Sequence, residues 1–89
     1  MVCPDCGAKP VNRQFTHQAT CPIGLAVDAM MAADREWFEQ HPGADHYYRS
    51  VTNAEVAEFS ILGERPVGKV LVHQVEPGLR MRQIETVPR

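Results

Sequence analysis

Apolar and polar residues alternate along this chain with two different periods. From residue 22 to 40 (PIGLAVDAMMAADREWFEQ) the apolar positions Ile23, Ala26, Val27, Met30, Ala33 and Trp37 recur at intervals of one, three or four. That spacing predicts one helix with a buried stripe. Asp28, Asp34, Arg35, Glu36 and Glu39 are spread over its remaining surface, and His41-Pro42-Gly43 ends it, with His41 placed as a cap. Residues 46–51 (HYYRSV) are aromatic and β-branched enough for a short strand, which sets Tyr47 and Tyr48 on opposite faces and leaves one of them exposed. Thr52 followed by Glu55 is a capping-box pair for a short helix that runs to about Ile61 or Leu62 and ends at Gly63. GKVLVHQV and LRMRQIETV, on either side of Glu76-Pro77-Gly78, predict a β-hairpin. With Leu79 and Met81 packed on the main helix, period 2 turns Arg80 and Arg82 to solvent, and His73 is read as satisfied or solvent-facing.

Together these elements predict a small α+β fold: one main helix, a short strand, a short helix and a C-terminal hairpin, with about three antiparallel strands. The 89 residues form a single domain, 1–89, in which a module of residues 1–22 leads into the helix and residues 46–89 supply the rest. A chain this short buries a modest share of its surface, so a covalent or metal fastening would help it fold.

The opening stretch, CPDCGAKPVNRQFTHQATCP, provides one. It holds all three cysteines of the chain, and with His17 they read Cys-x2-Cys-x10-His-x3-Cys. Structural zinc sites have this form, two ligand pairs separated by a loop of about a dozen residues. Pro4 and Gly7 favour the tight turn that lets Cys3 and Cys6 converge on one ion. His17 and Cys21, four apart, lie on one face of a helical turn. Pro22 suits the first position of a helix, so Cys21 becomes its N-cap, where the positive helix end lowers the thiol pKa. Three thiolates and an imidazole complete a tetrahedral shell for structural Zn2+ held by Cys3, Cys6, His17 and Cys21.

Other readings are weaker. A Cys3–Cys6 redox disulfide normally sits in a thioredoxin-like strand-to-helix context, which Pro4-Asp5 and Gly7 do not supply. Four unrelated core residues would not gather every cysteine into 19 positions. Catalytic zinc keeps a coordination position open, and the deaminase order of His-x-Glu before Cys-x-x-Cys is absent. The stretch resembles a zinc knuckle feeding a ligand at a helix start, as in treble-clef-like fingers. It departs from the usual treble clef in having His-x3-Cys as its second pair, so the resemblance implies the metal and no partner.

Charge is uneven. Residues 23–64 carry eight acids against Arg35 and Arg49, net −6; residues 65–89 carry five bases against Glu76 and Glu85, net +3. No apolar run reaches the roughly 20 residues of a membrane span, and MVCPDCG lacks a secretory pattern, so a cytoplasmic protein with reduced thiols is expected. ADREWFEQHPGADHYYR (33–49) and VHQVEPGLRMR (72–82) resemble a pattern in small zinc-finger-containing proteins of actinobacteria, their phages and mobile elements. Asp34-Arg35, Trp37-Phe38, Pro42 and Tyr48-Arg49 carry that resemblance. It implies an accessory protein of the host cytoplasm that acts on a host component, and it brings no activity with it.

No paired carboxylates, nucleophile–base pair or phosphate-binding glycine loop is evident, so no enzyme is expected. The reading is a non-enzymatic, zinc-stabilised module that binds another protein, with Tyr47, Tyr48, Arg80 and Arg82 as candidate binding residues. The alternative is a small zinc-finger regulator that binds nucleic acid through Lys9, Arg13, Arg80 and Arg82. The acidic midsection argues against it, because a nucleic-acid footprint is dominated by basic charge.

Overall fold

The computed structural model describes residues 1–76 and 79–89, Leu79 by its backbone alone. Helix α1 (Pro22–Gln40) is followed by strand β1 (His46–Arg49), helix α2 (Asn53–Ile61) and strands β2 (Glu64–Glu76) and β3 (Leu79–Pro88). The strands form one antiparallel sheet in the order β1-β2-β3. The fold is therefore the small α+β arrangement expected, with the cysteine-rich segment ahead of α1. Pro77 and Gly78, the centre of the predicted hairpin turn, lie outside the described residues.

Pro22 opens α1, and His41 closes it by placing Nδ1 2.8 Å from the Trp37 carbonyl. Helix α2 starts in the expected capping box. The Glu55 amide donates to Thr52 Oγ1 (3.3 Å), and the Thr52 amide donates to Glu55 Oε1 (3.0 Å). Strand β2 begins at Glu64, four residues before the predicted GKVLVHQV run, and so holds both Pro66 and Gly68. Both are tolerated there: β1 ends at the pair Arg49↔Val70, so residues 64–67 bond only to β3, and the register shift between Val67 and Leu71 takes up Gly68 in its positive-φ conformation (+74°).

The core lies between the helices and one face of the sheet. Phe38, Val70 and Val72 are buried together, with Trp37, Tyr47, Val51 and Ile84 packed around them. Trp37 stacks on Tyr47 with ring centroids 4.1 Å apart. The buried line of α1 passes through Gly24, Met30, Asp34 and Phe38, whereas Ala26 and Ala33 of the predicted stripe are exposed. Asp34 marks the difference: expected on the surface, it is 3% exposed.

An ion network explains that burial. Arg49 donates from Nε to Asp34 Oδ1 (2.8 Å) and from Nη2 to Asp34 Oδ2 (3.1 Å); it also donates from Nη1 to Glu55 Oε1 (2.8 Å) and from Nη2 to Glu55 Oε2 (3.2 Å). Tyr47 donates its hydroxyl to Asp34, and Arg82 Nη1 donates to Glu55 Oε2 at 2.8 Å. Two carboxylates and two guanidiniums thus neutralise one another where α1, α2, β1 and β3 meet.

Strand β3 consequently faces the other way from the prediction. Val72 pairs with Arg82, so Arg82 shares the helix-covered face with Val72, and Met81, paired with His73, is 57% exposed on the open face. The expectation failed because it took apolar residues to mark the core side. The buried Glu55 carboxylate recruits Arg82 inward instead, and the half-exposed guanidinium stem lies along the core edge.

Candidate metal centre

Two tight backbone devices shape the N-terminal segment. The Gly7 amide donates to the Cys3 carbonyl (2.8 Å) and the Cys3 amide to the Ala8 carbonyl (2.9 Å), a knuckle that needs Gly7 at φ +74°. Val11 and Gln14 then exchange both backbone bonds (2.8 and 3.0 Å) around Asn12 and Arg13, at φ 51° and 66°. These are the positive-φ positions of a two-residue hairpin. Asn12 suits its place; Arg13 takes the disfavoured conformation and donates both terminal nitrogens to Glu64, at 2.6 and 2.5 Å. Bonds from Arg13, the largest effect, and from Thr86 lower the Glu64 carboxyl to about 2. The turn is thereby tied to the start of β2.

The chain returns through His17 and Cys21. The predicted helical turn between them is replaced by a tight turn in which the Cys21 amide donates to the Gln18 carbonyl (3.0 Å), and α1 starts only at Pro22. Cys21 is the N-cap, as expected. Its thiol is raised, not lowered: burial outweighs the opposing pull of the Gly24 and Ile23 amides. Cys6 is the thiol that is lowered, to about 6, by the Gln18 backbone above all and then by His17.

Cys3, Cys6, His17 and Cys21 converge, with one donor atom from each and all four within 4.8 Å of one another. Cys3 Sγ and Cys21 Sγ are 3.8 Å apart, and His17 Nδ1 lies 3.5 Å from Cys6 Sγ and 3.6 Å from Cys21 Sγ. Cys3 and Cys21 are buried. Such a group can hold a metal ion. His17 directs Nδ1 at the sulfurs and donates from Nε2 to Glu58 Oε2 at 2.7 Å. Burial works against the protonated imidazole, but Cys6, Glu58 and Cys3 together carry the metal-free ring up to about 9. Phe15 stacks on one side of the ring at 5.4 Å, and Gly24 lies close to its Cβ.

Sequence reasoning missed Glu58. It is 41 positions from His17, on a helix whose place beside the knuckle only the tertiary fold determines. The four candidate binding residues are not brought together as one surface. Tyr47 and Arg82 belong to the ion network on the covered face, Arg80 is half-buried, and Tyr48 is 65% exposed on the opposite face. Among the described residues no helix is long and apolar enough to cross a membrane. No protein-family model, curated protein or solved structure matches the chain.

Proposed function

We propose that this chain is a non-enzymatic interaction module, fastened by structural zinc, that binds another protein in a bacterial cytoplasm. The zinc assignment rests on the shape of the donor set. A tetrahedron with Zn–S bonds of about 2.3 Å and a Zn–N bond of about 2.0–2.1 Å has S···S edges of about 3.8 Å and S···N edges of about 3.5–3.6 Å. Three of the six donor separations here, Cys3–Cys21, Cys6–His17 and Cys21–His17, are 3.8, 3.5 and 3.6 Å, and all six lie within 4.8 Å. Glu58 on Nε2 fixes the tautomer that leaves the Nδ1 lone pair for the metal, the usual carboxylate support of a ligating histidine. Four protein donors leave no place for a substrate, so the ion acts as a staple between the knuckle and α1.

The interaction reading rests on one observation: both helices cover the same face of the sheet. The other face presents Tyr48, Leu71 and Met81, with Tyr48 and Met81 more than half exposed. Exposed aromatic and apolar side chains on a sheet face that no helix covers are characteristic of recognition sites. The nucleic-acid alternative loses support, because two of its basic residues are occupied, Arg82 by Glu55 and Arg13 by Glu64. The resemblance to actinobacterial phage and mobile-element proteins suggests a host protein as the partner. The test is capture from host lysate by the zinc-loaded chain, with nuclease-treated and untreated arms, alongside Tyr48→Ala and Leu71→Asp. A partner that survives nuclease and is lost with both variants supports the reading; one that nuclease removes, or that both variants retain, overturns it.

A further inference from the structure

The open face carries a second row of donor groups, remote from the cysteines. His46 of β1 pairs directly with His73 of β2, and His73 pairs directly with Met81 of β3. Three residues with metal-binding side chains thus stand abreast on three adjacent strands. Directly opposed residues on antiparallel strands have Cβ atoms about 4.5–5.5 Å apart, within reach of one shared ion. The two imidazole centroids are 6.4 Å apart, tilted by 39°.

The state of each ring nitrogen sharpens this arrangement. His46 places Nδ1 2.5 Å from Asp45 Oδ1, which makes Nδ1 the protonated nitrogen and leaves the Nε2 lone pair free. A carboxylate on the far nitrogen is the support that ligating histidines commonly have. His46 is further flanked edge-on by Tyr48 at 6.3 Å. His73 Nε2 is buried and is the sole buried side-chain nitrogen or oxygen without a hydrogen-bond partner among the described residues. An orphaned buried group in an otherwise satisfied fold calls for a missing partner, such as a water or an ion. Both histidines and Met81 line one cavity of about 320 Å³, together with Gln74 and Gln83, and it opens on the uncovered face.

We propose that His46, His73 and Met81 form a binding site for monovalent copper, with His46 Nε2, His73 Nε2 and Met81 Sδ as donors and Asp45 as the group that orients His46. The donor set selects the ion. Imidazole suits several transition metals, but a thioether is a soft ligand that favours Cu(I) over zinc and the harder divalent ions. Three protein donors satisfy an ion that accepts low coordination, whereas Zn2+ on this face would need a water to complete its tetrahedron, so the thioether is what selects between them. The site is independent of the cysteine cluster; it shares Met81 and the open face with the protein-binding reading, and metal stoichiometry tests it apart from that reading.

The experiment uses the full chain loaded with zinc. Cu(I) is supplied anaerobically, with ascorbate as reductant and bicinchoninate as competing chelator. Native mass spectrometry counts both metals, and the histidine ring signals are followed by NMR. The expected result is one Cu(I) per chain with zinc retained and the His46 and His73 signals shifted. His73→Ala and Met81→Leu should each lower the Cu(I) affinity at least tenfold, and Asp45→Asn about tenfold, within the range for supporting carboxylates. Met81 and His46 are exposed, so Met81→Leu and His46→Gln decide the matter if His73→Ala does not fold. Copper taken up only as zinc is released, or an affinity within twofold of wild type in Met81→Leu and His46→Gln, overturns the proposal.

Discussion

Replacing Arg49 by Met tests the ion network most directly, because it keeps the aliphatic stem and deletes the one group that bridges both buried carboxylates. Arg49 makes four charge-assisted bonds to them, between 2.8 and 3.2 Å, and its side chain is 15% exposed. Glu55 is 1% exposed and Asp34 3%. Removing one partner of a buried pair costs about 3–5 kcal/mol, since it leaves a charge in a poorly solvating site. Tyr47 stays on Asp34, and Arg82 and the Thr52 amide stay on Glu55, so the lower half of that range, about 3–4 kcal/mol, is expected. For 89 residues at about 0.05–0.15 kcal/mol each, total stability is about 4–13 kcal/mol, and the loss is a large fraction of it. At 4–8 °C per kcal/mol, the melting temperature should fall by roughly 12 °C or more.

The pH dependence gives a second, independent reading. In the wild-type fold burial pushes Glu55 up, but Arg49, the Thr52 amide and Arg82 outweigh it and hold the carboxyl below its ordinary value of 4.5. A depressed carboxyl contributes stability that is fully present above 4.5 and is lost as pH falls through its folded value. Without Arg49 the balance shifts toward burial, the folded-state value rises, and acid then relieves the defect in Arg49→Met. The cost of the substitution, taken as the difference between variant and wild type at equal pH, should therefore shrink from pH 8 to pH 5.5. Proton competition for the metal ligands affects both proteins and cancels in that difference. Chemical denaturation of the zinc-loaded proteins at the two pH values is the assay. A cost below about 1 kcal/mol, the size of a surface pair, or one that does not change with pH, refutes the reasoning.

Other perturbations address the metal centre and the inward arginine. Chelation of zinc, or Cys6→Ser, should unfold at least residues 1–25, since structural zinc contributes apparent free energies of roughly 10–16 kcal/mol in finger peptides; amide exchange resolved along the chain reports it, and unchanged protection there counts against a structural ion. Glu58→Gln should lower zinc affinity about 10–100-fold while α2 still forms, measured by competition with a zinc indicator. Gly24→Ala would improve helix propensity, yet its Cβ would stand 2.6 Å from His17 Cβ; overpacking should prevail, with a net loss of about 1–3 kcal/mol read from denaturant melts, and a stabilised variant would contradict the close approach. Arg82→Ala should destabilise by about 1.5 kcal/mol, the low end for a bond to a charged group, where an outward-facing arginine would cost almost nothing.

What could be read from the sequence and what could not divide along the range of the forces involved. Pro22, the Thr52–Glu55 box and His41-Pro42-Gly43 act over three or four residues, and the helix ends they mark fall where they were placed. The four cysteine and histidine donors were legible for a related reason: only a turn at Gly7 and a short loop are needed to join them. The face of β3 was not legible. Period 2 shows that Met81 and Arg82 are on opposite sides, and it is silent on which side is covered. That choice depends on Glu55, 27 residues away, whose buried carboxylate needs a second cation and finds it in Arg82. Asp34 follows the same logic, since it is stable inside only because Tyr47 and Arg49 arrive from β1 to meet it. Glu58 is the functional counterpart: a surface acid by pattern, it becomes a support for His17 only once α2 lies against the knuckle. In each case a polar group interrupts an apolar pattern and is rescued by a partner distant in sequence, and the rescue fixes one arrangement of the elements because the alternatives would leave a charge buried alone. The network that misled the reading of β3 therefore also sets its register, and in doing so it turns His73 and Met81 to the open face beside His46 and Tyr48.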